Sequence, residues 1–232
     1  MINIQRFGGR GATSYGGGRY SIATEQEHEF LISKSKEQWG DDIQNQKGYV
    51  RTGLSFDVNK ALRQLEDGYD ITKVDLGTKE DWFSGRDWDF NKIVQNMDQL
   101  TSKPIVGGKN RLLTRFVDEN WAYNALGVKS VSDLVNLDFK GTTFKEKAFM
   151  STSTNPGANV FTGRPIKMEI EASPKTRGFV ADNRHESEVV LPRNSQFKIT
   201  RTYQDSHGNY VVRMKVINTP NNARGFAGDP MK

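Results

Sequence analysis

The sequence predicts an α+β fold, and three observations carry that reading. Apolar residues recur at helical spacing through the first hundred positions. After Pro104 and Gly107-Gly108 the spacing changes to the alternation of strands. The two longest alternating runs, residues 197–203 and 211–217, flank Ser206-His207-Gly208-Asn209 and read as a hairpin. Helices first and strands later indicate segregated α+β layers rather than a parallel α/β sheet. A chain of 232 residues is long enough to bury a sizeable core in one domain.

Taken in order, residues 1–24 form a flexible glycine- and arginine-rich arm, too poor in apolar surface to offset the entropy of ordering it. Its Phe7, Tyr15 and Tyr20 among arginines could also grip a partner surface or nucleic acid. Thr24 followed by Glu27 is a capping-box signature for a helix whose apolar face includes Phe30 and Leu31. A second helix is predicted from a Ser55 cap to Leu65, with Val58, Leu62 and Leu65 on one stripe. A third runs over 87–100 on Ile93, Val94, Met97 and Leu100. Strand 112–117 follows, then a short helix over 119–126 ended by Gly127. Further strands are predicted at 148–153, 166–171, 178–180 and 188–191. Residues 25–218 thus make the folded domain and 219–232 a C-terminal tail.

Composition narrows the chemistry. With no cysteine there is no disulfide framework, thiolate nucleophile or cysteine zinc site, and His28, His185 and His207 are too scattered for a metal-spaced cluster. No metal is expected. No apolar run reaches membrane-spanning length, and the N-terminus lacks the apolar core of a secretory signal. The net charge of +5 is uneven: Arg6, Arg10 and Arg19 put +3 on residues 1–24, and residues 219–232 add +1. Residues 25–218 retain only +1, which gives no charge argument for nucleic-acid binding by the domain.

The most informative stretch is N-R-H-E-S-E-V-V-L-P, residues 183–192. Glu186 and Glu188 at spacing two would share one face of an extended chain, with Glu188 opening a strand that Val189-Val190-Leu191 drive into the core. One acid then stands at a cleft wall and the other at its rim, suited to acid–base or cation-stabilising chemistry. Upstream, Arg115 lies in the middle of an apolar strand, where a guanidinium needs a carboxylate or phosphate. Ser151-Thr152-Ser153 offers hydroxyls for a carboxylate or a ribose. Taken singly, each also reads as an ordinary surface feature: a solvated arginine, a polar strand edge, an exposed acid pair.

In this order the elements resemble the Arg / Ser-Thr-Ser / Glu-x-Glu signature of mono-ADP-ribosyltransferases of the bacterial exoenzyme type. F-M-S-T-S and E-S-E-V-V-L-P-R carry the resemblance. Upstream, G-Y-V-R-T-G-L-S-F-D-V-N-K-A-L-R is similar to the family's Tyr-containing turn and N-x-x-L-R helix. The resemblance implies N-terminal helices packed on a mixed/antiparallel β-sandwich core, with NAD as co-substrate. It implies that Arg115 binds the NAD phosphate and ribose, and that Ser151 locks the active-site carboxylate, with Thr152 and Ser153 shaping the strand and lining the NAD site. Glu188 would be the catalytic glutamate at the ribose 2′-hydroxyl, and Glu186 would face the acceptor. Glutamate rather than glutamine at that position implies an arginine acceptor on a host protein. Arg164, beyond Phe161, is a further candidate for the NAD phosphate, and a solvated arginine is an equal reading there.

Two departures stand out. Thr114 and Phe116 flank Arg115 where the family pattern has an aromatic before and a small residue after. The loop before Glu186 reads A-D-N-R-H and lacks the acceptor-contacting aromatic, which leaves the target open. The N-terminal I-N-I-Q-R-F-G-G-R-G-A resembles a segment of phage minor head proteins. It implies a phage or prophage protein carried in the virion and delivered with the DNA, with the arm on phage head or DNA. The absence of cysteine fits a protein made and used in the host bacterial cytoplasm, and a monomer is expected. Two other readings of the same residues are an NAD glycohydrolase and a catalytically idle virion protein.

Overall fold

The computed structural model describes residues 20–223 apart from 51, 82, 83, 159 and 160. Most of the predicted arm and the end of the tail therefore lie outside the described residues. Helix α1 (Glu25–Trp39) starts as its capping box dictates, the Thr24 hydroxyl accepting from the Glu27 amide at 3.1 Å. A 3-10 segment (Gly40–Gly48) leads to α2 (Leu54–Gln64), whose cap is Gly53. Ser55, expected as that cap, sits inside the first turn and its hydroxyl points back to the Thr52 carbonyl. Helix α3 (Phe90–Leu100) begins three residues later than expected because Asp89 caps it, accepting from the amides of Asn91 and Lys92. The residues before that cap form a hairpin, β1 (Thr78–Asp81) with β2 (Arg86–Asp89), too short and polar to show an apolar alternation. Strand β3 (Arg111–Val117) and α4 (Glu119–Leu126) follow, the helix ending on left-handed Gly127 (φ 68°).

A one-turn helix α5 (Asp133–Asn136) and strands β4 (Thr143–Glu146), β5 (Met150–Ser153), β6 (Ile166–Ala172), β7 (Phe179–Val180), β8 (Glu188–Leu191), β9 (Ser195–Gln204) and β10 (Tyr210–Asn218) complete the chain. The large sheet has the order β4-β9-β10-β6-β3-β5-β8-β7 and is antiparallel except between β6 and β10. Its centre is weak: β3 and β5 share a single register pair, Thr114 with Ser153. Five strands lie on one side of that joint and three on the other.

The alternation along the three-strand part explains where the two cores sit. Met150, Val189 and Leu191 join Leu113, Ile170 and Met214 of the five-strand part, with Leu31 and Ile32 of α1, in one buried cluster. Phe149, Phe179 and Val190 point the other way and pack with Val58 and Leu62 of α2 and Ile93 and Met97 of α3. Each such side chain contributes about 1.5–3 kcal/mol through burial. A one-residue slip of β8 would exchange these faces, so its register is strongly specified. Glu188 shares the face of Val190, and is therefore delivered to the side of the helices.

Both flanking segments touch the domain where they leave it. Ser21 accepts from the Leu112 amide and the Ala23 amide donates to Thr154. Past β10, Thr219 is held by Arg177 through its hydroxyl and its carbonyl. Among the described residues no helix is long and apolar enough to cross a membrane, and no group of His, Asp or Glu is arranged to hold a metal.

Candidate active site

The site is assembled where the sheet is weakest. Beside the β3–β5 joint, Arg115 turns its guanidinium to the Ser151 carbonyl, Nη1 donating at 2.6 Å. Desolvation pulls that guanidinium below its ordinary pKa, and the charge of Glu146 pulls it back. In the β5–β8 ladder Ser153 is opposite Glu188 and Ser151 opposite Val190, so Ser151, Ser153 and Glu188 lie on one face. The Ser151 hydroxyl hydrogen-bonds the Glu188 carboxylate, and Asn183 Nδ2 donates to it at 3.3 Å.

Glu188 is only 6 % exposed. Burial raises its pKa, the Ser151 hydrogen bond opposes the rise, and the charge of Glu186 adds to it. A carboxylate tuned in this way, facing a cavity and bonded by neutral donors among the described residues, fits a catalytic group rather than an ion pair.

Glu186 reaches the same cavity by a different route from the one the spacing suggested. It lies in a turn, and Ser187 between the two acids has φ 47°, a left-handed conformation rare for a residue with a side chain. The chain is therefore not extended across the pair. Both carboxylates still line one cavity of about 340 Å³, a volume typical of small-molecule sites. Arg63, Arg115, Arg164, Tyr49 and Ser151 line it too. Among the described residues three guanidiniums and two carboxylates thus face one space, fitting a dinucleotide with an anionic diphosphate and a ribose that becomes cationic.

Thr152 and Ser153 turn their hydroxyls to neighbouring backbone. The Thr152 hydroxyl donates to the Val189 carbonyl at 2.7 Å and the Ser153 hydroxyl to the Asn155 carbonyl at 2.7 Å. Both also border a small recess next to Glu186 and Glu188. Arg164 lies over the Phe161 ring at 4.1 Å, and its Nη1 reaches the Phe116 carbonyl at 3.4 Å.

Several site residues carry no role in the sequence reading. Tyr49, buried between α2 and β5, takes a hydrogen bond from Asn59 Nδ2 at 2.8 Å, while Asn59 Oδ1 accepts from the Phe149 amide. Burial pushes the Tyr49 hydroxyl up to about 12, so it stays protonated, and the Ser151 side chain beside it opposes the rise. Asn59 thus ties Tyr49 to α2, and Tyr49 and Glu188 both lie against Ser151. Arg63, which lines the cavity, is oriented by Glu146, whose Oε1 accepts from its Nε at 2.9 Å. Tyr49, Asn59 and Arg63 fall in the stretch that carried the upstream resemblance. Asn183 had no sequence signal, because only the folded turn brings it beside Glu188.

Among curated proteins none matches this sequence. Solved structures do. The Clostridium limosum C3 exoenzyme aligns with TM-score 0.64 at 20% identity, covering 86% of this chain and 98% of that one. C3stau2 from S. aureus, solved with NAD, aligns with TM-score 0.66 at 15% identity, covering 86% and 98%. Plx2a, an ADP-ribosyltransferase toxin from Paenibacillus larvae, aligns with TM-score 0.61 at 15% identity, covering 84% and 96%. At such identities these likenesses show the fold. The sequence profile of the ADP-ribosyltransferase exoenzymes matches residues 47–219, well over half of the chain and including every cavity residue named above. The chain belongs to the ADP-ribosyltransferase exoenzyme family.

Proposed function

We propose that this enzyme transfers a single ADP-ribose from NAD to arginine side chains of a host protein. The observation that carries the reading is the placement of Glu186 and Glu188 on one cavity whose other charged groups are Arg63, Arg115 and Arg164. The guanidiniums suit the diphosphate of NAD. Glu188, fixed by Ser151 and Asn183, suits the nicotinamide ribose. The bond between ribose C1′ and the nicotinamide nitrogen breaks, its electron pair leaves with nicotinamide, and the oxocarbenium-like ribose is stabilised by the ionised Glu188. An acceptor arginine attacks C1′. Its guanidinium is protonated, with a pKa above about 12, and is a poor nucleophile until a proton is removed. Glu186, half-exposed on its turn, stands where it can orient that group and take the proton.

The test is incubation with labelled NAD, a small guanidino amine and a bacterial lysate. Label on the guanidino group and on arginine peptides is expected. Release of ADP-ribose and nicotinamide alone would make the enzyme a glycohydrolase, and no NAD turnover at all would leave the idle virion protein. Association with a phage particle rests on residues 2–12 of the sequence. Truncation to residue 20 is expected to abolish particle or DNA association and leave NAD cleavage intact; a folded but inactive truncation would refute that separation.

A further inference from the structure

We propose that His28 is a positioning residue for the acceptor carboxylate: through Thr154 it fixes the left-handed Ser187 turn from which Glu186 projects. The inference rests on the reading of Glu186 as the acceptor's base. Its physical basis is how the two glutamates are held. Glu188 is in the β5–β8 ladder and has Ser151 and Asn183 on its carboxylate. Glu186 precedes the strand, on a turn with a strained residue, and such a conformation persists only where its surroundings over-determine it.

Those surroundings are Thr154, just past β5, and behind it α1. The Ser187 carbonyl accepts from the Thr154 amide at 2.9 Å and lies 3.3 Å from the Thr154 hydroxyl. That hydroxyl is 2.9 Å from His28 Nδ1, in a buried contact spanning 126 positions of sequence. One order of protons serves all three atoms: Nδ1–H donates to the Thr154 oxygen, and the Thr154 hydroxyl donates to Ser187. His28 remains neutral for this role, since burial, with the charge of Arg111 adding, pushes its pKa down to about 4. Seven residues on, and so on the same helix face, Ser35 donates to the Val180 carbonyl at 2.8 Å. The stretch from Val180 to Ser187 is therefore held at one end directly by α1, and at the other by Thr154, which His28 of the same helix bonds in turn. Two surface pairs, Lys36 with Asp182 and Arg184 with Glu29, lie between them and contribute little.

His28 also carries a cost that an apolar residue would avoid. Its Nε2 is buried and has no hydrogen-bond partner among the described residues. Leucine would fill the space without that cost, so the imidazole is accounted for by what Nδ1 does.

Thr154→Val removes only the hydroxyl, Thr154→Ser keeps it, and His28→Leu keeps volume while removing the nitrogens. Each variant is assayed for nicotinamide release, for labelling of a small guanidino amine, and for amide hydrogen exchange over residues 180–188. In Thr154→Val and His28→Leu, labelling should fall about tenfold relative to NAD cleavage, with faster exchange in 180–188 and unchanged exchange in the β9–β10 hairpin; Thr154→Ser should behave as wild type. A folded Thr154→Val with wild-type exchange in 180–188 overturns the proposal. So does a parallel loss of both activities that tracks the unfolded fraction. Should the wild type cleave NAD yet label no guanidino group, the reading of Glu186 fails, and the exchange comparison still decides whether His28 and Thr154 hold the turn.

Discussion

Glu188 and Asp98 are two buried carboxylates close to opposite ends of the same short strand. Glu188 opens β8, and Asp98 on α3 meets Arg193, two residues past the strand's end. Burial raises both, Asp98 up to about 6. Their partners differ. Asp98 is gripped by a guanidinium, Arg193 Nε donating to both of its oxygens at 2.9 and 3.1 Å and Nη2 to one at 2.8 Å, with Tyr69 accepting from Nη1. Among the described residues the donors to Glu188 are neutral, on a wall of the cavity, and Arg115 acts on it through charge without an ion pair. A perturbed buried acid is therefore no marker of a site by itself. An acid closed by a cation anchors the strand, and one left with neutral donors and an open side has its charge available for a substrate.

Substitutions at the two acids should fail in opposite ways. Glu188→Gln preserves shape and removes the charge beside the ribose; nicotinamide release should fall by about 10²–10³ or more, equivalent to ~2.7–4 kcal/mol of transition-state stabilisation. Its thermal unfolding should be at or above wild type, because a carboxylate with a raised pKa is a net cost to the fold when ionised. Near-wild-type turnover in this variant would sink the assignment of Glu188. Asp98→Ala should instead cost about 3–5 kcal/mol of stability, since it leaves Arg193 buried without a counter-charge. Below its melting temperature the specific activity should be close to wild type. Replacing Asp98 and Arg193 together by apolar residues should return most of the loss, as denaturant titration of the three proteins would show.

The same contrast explains what could be read in the sequence. The helix over 119–126 and the strand at 188–191 are found at their predicted limits, because a local signal sets each: Gly127 stops one, and an acid followed by three apolar residues starts the other. Arg115, Ser151 and both glutamates, the ordered motifs, line one cavity, and Arg164, a candidate outside those motifs, lines it too. The spacing argument for the acid pair reached the right outcome through the wrong geometry, since Ser187 breaks the extended chain. The Asp98–Arg193 pair and the Asn59–Tyr49–Ser151 cluster were illegible. Their members are 95, 10 and 102 positions apart, and no local pattern distinguishes a polar residue that will be buried with a partner from one left in water.

A smaller effect separates Glu188 from its neighbour. Glu186→Gln should lose guanidino labelling by about 10²-fold, the scale of a lost general base, while NAD hydrolysis stays within a few-fold, because water needs no guanidinium-orienting partner. Parallel assays of label and nicotinamide decide this. Equal loss of both would mean that the two acids act as one unit.

The finest comparison is between pH profiles, and its sign follows from how Glu188 is perturbed. Cleavage needs the ionised carboxylate, so the acid limb of the NAD hydrolysis profile should lie above the ordinary glutamate range. Ser151 stabilises the charged form and Glu186 opposes it. Ser151→Ala should therefore move the limb to higher pH, and Glu186→Gln should move it lower. Stability follows the same linkage. Below the ordinary glutamate pKa both the folded and unfolded states hold the proton, and the fold carries no penalty from this group. As pH rises toward the folded-state pKa, the unfolded chain ionises first, so the contribution of Glu188 to stability declines and then levels off. The melting temperature of Glu188→Gln should accordingly gain on wild type across that window and run parallel to it above. Asp98→Ala gives the opposite reference, remaining below wild type at neutral pH because its effect there is set by an unpaired Arg193. A Glu188→Gln curve that instead falls away from wild type as pH rises would mean that the fold lowers the pKa of this carboxylate, and that Glu188 is held by a cation rather than by neutral donors.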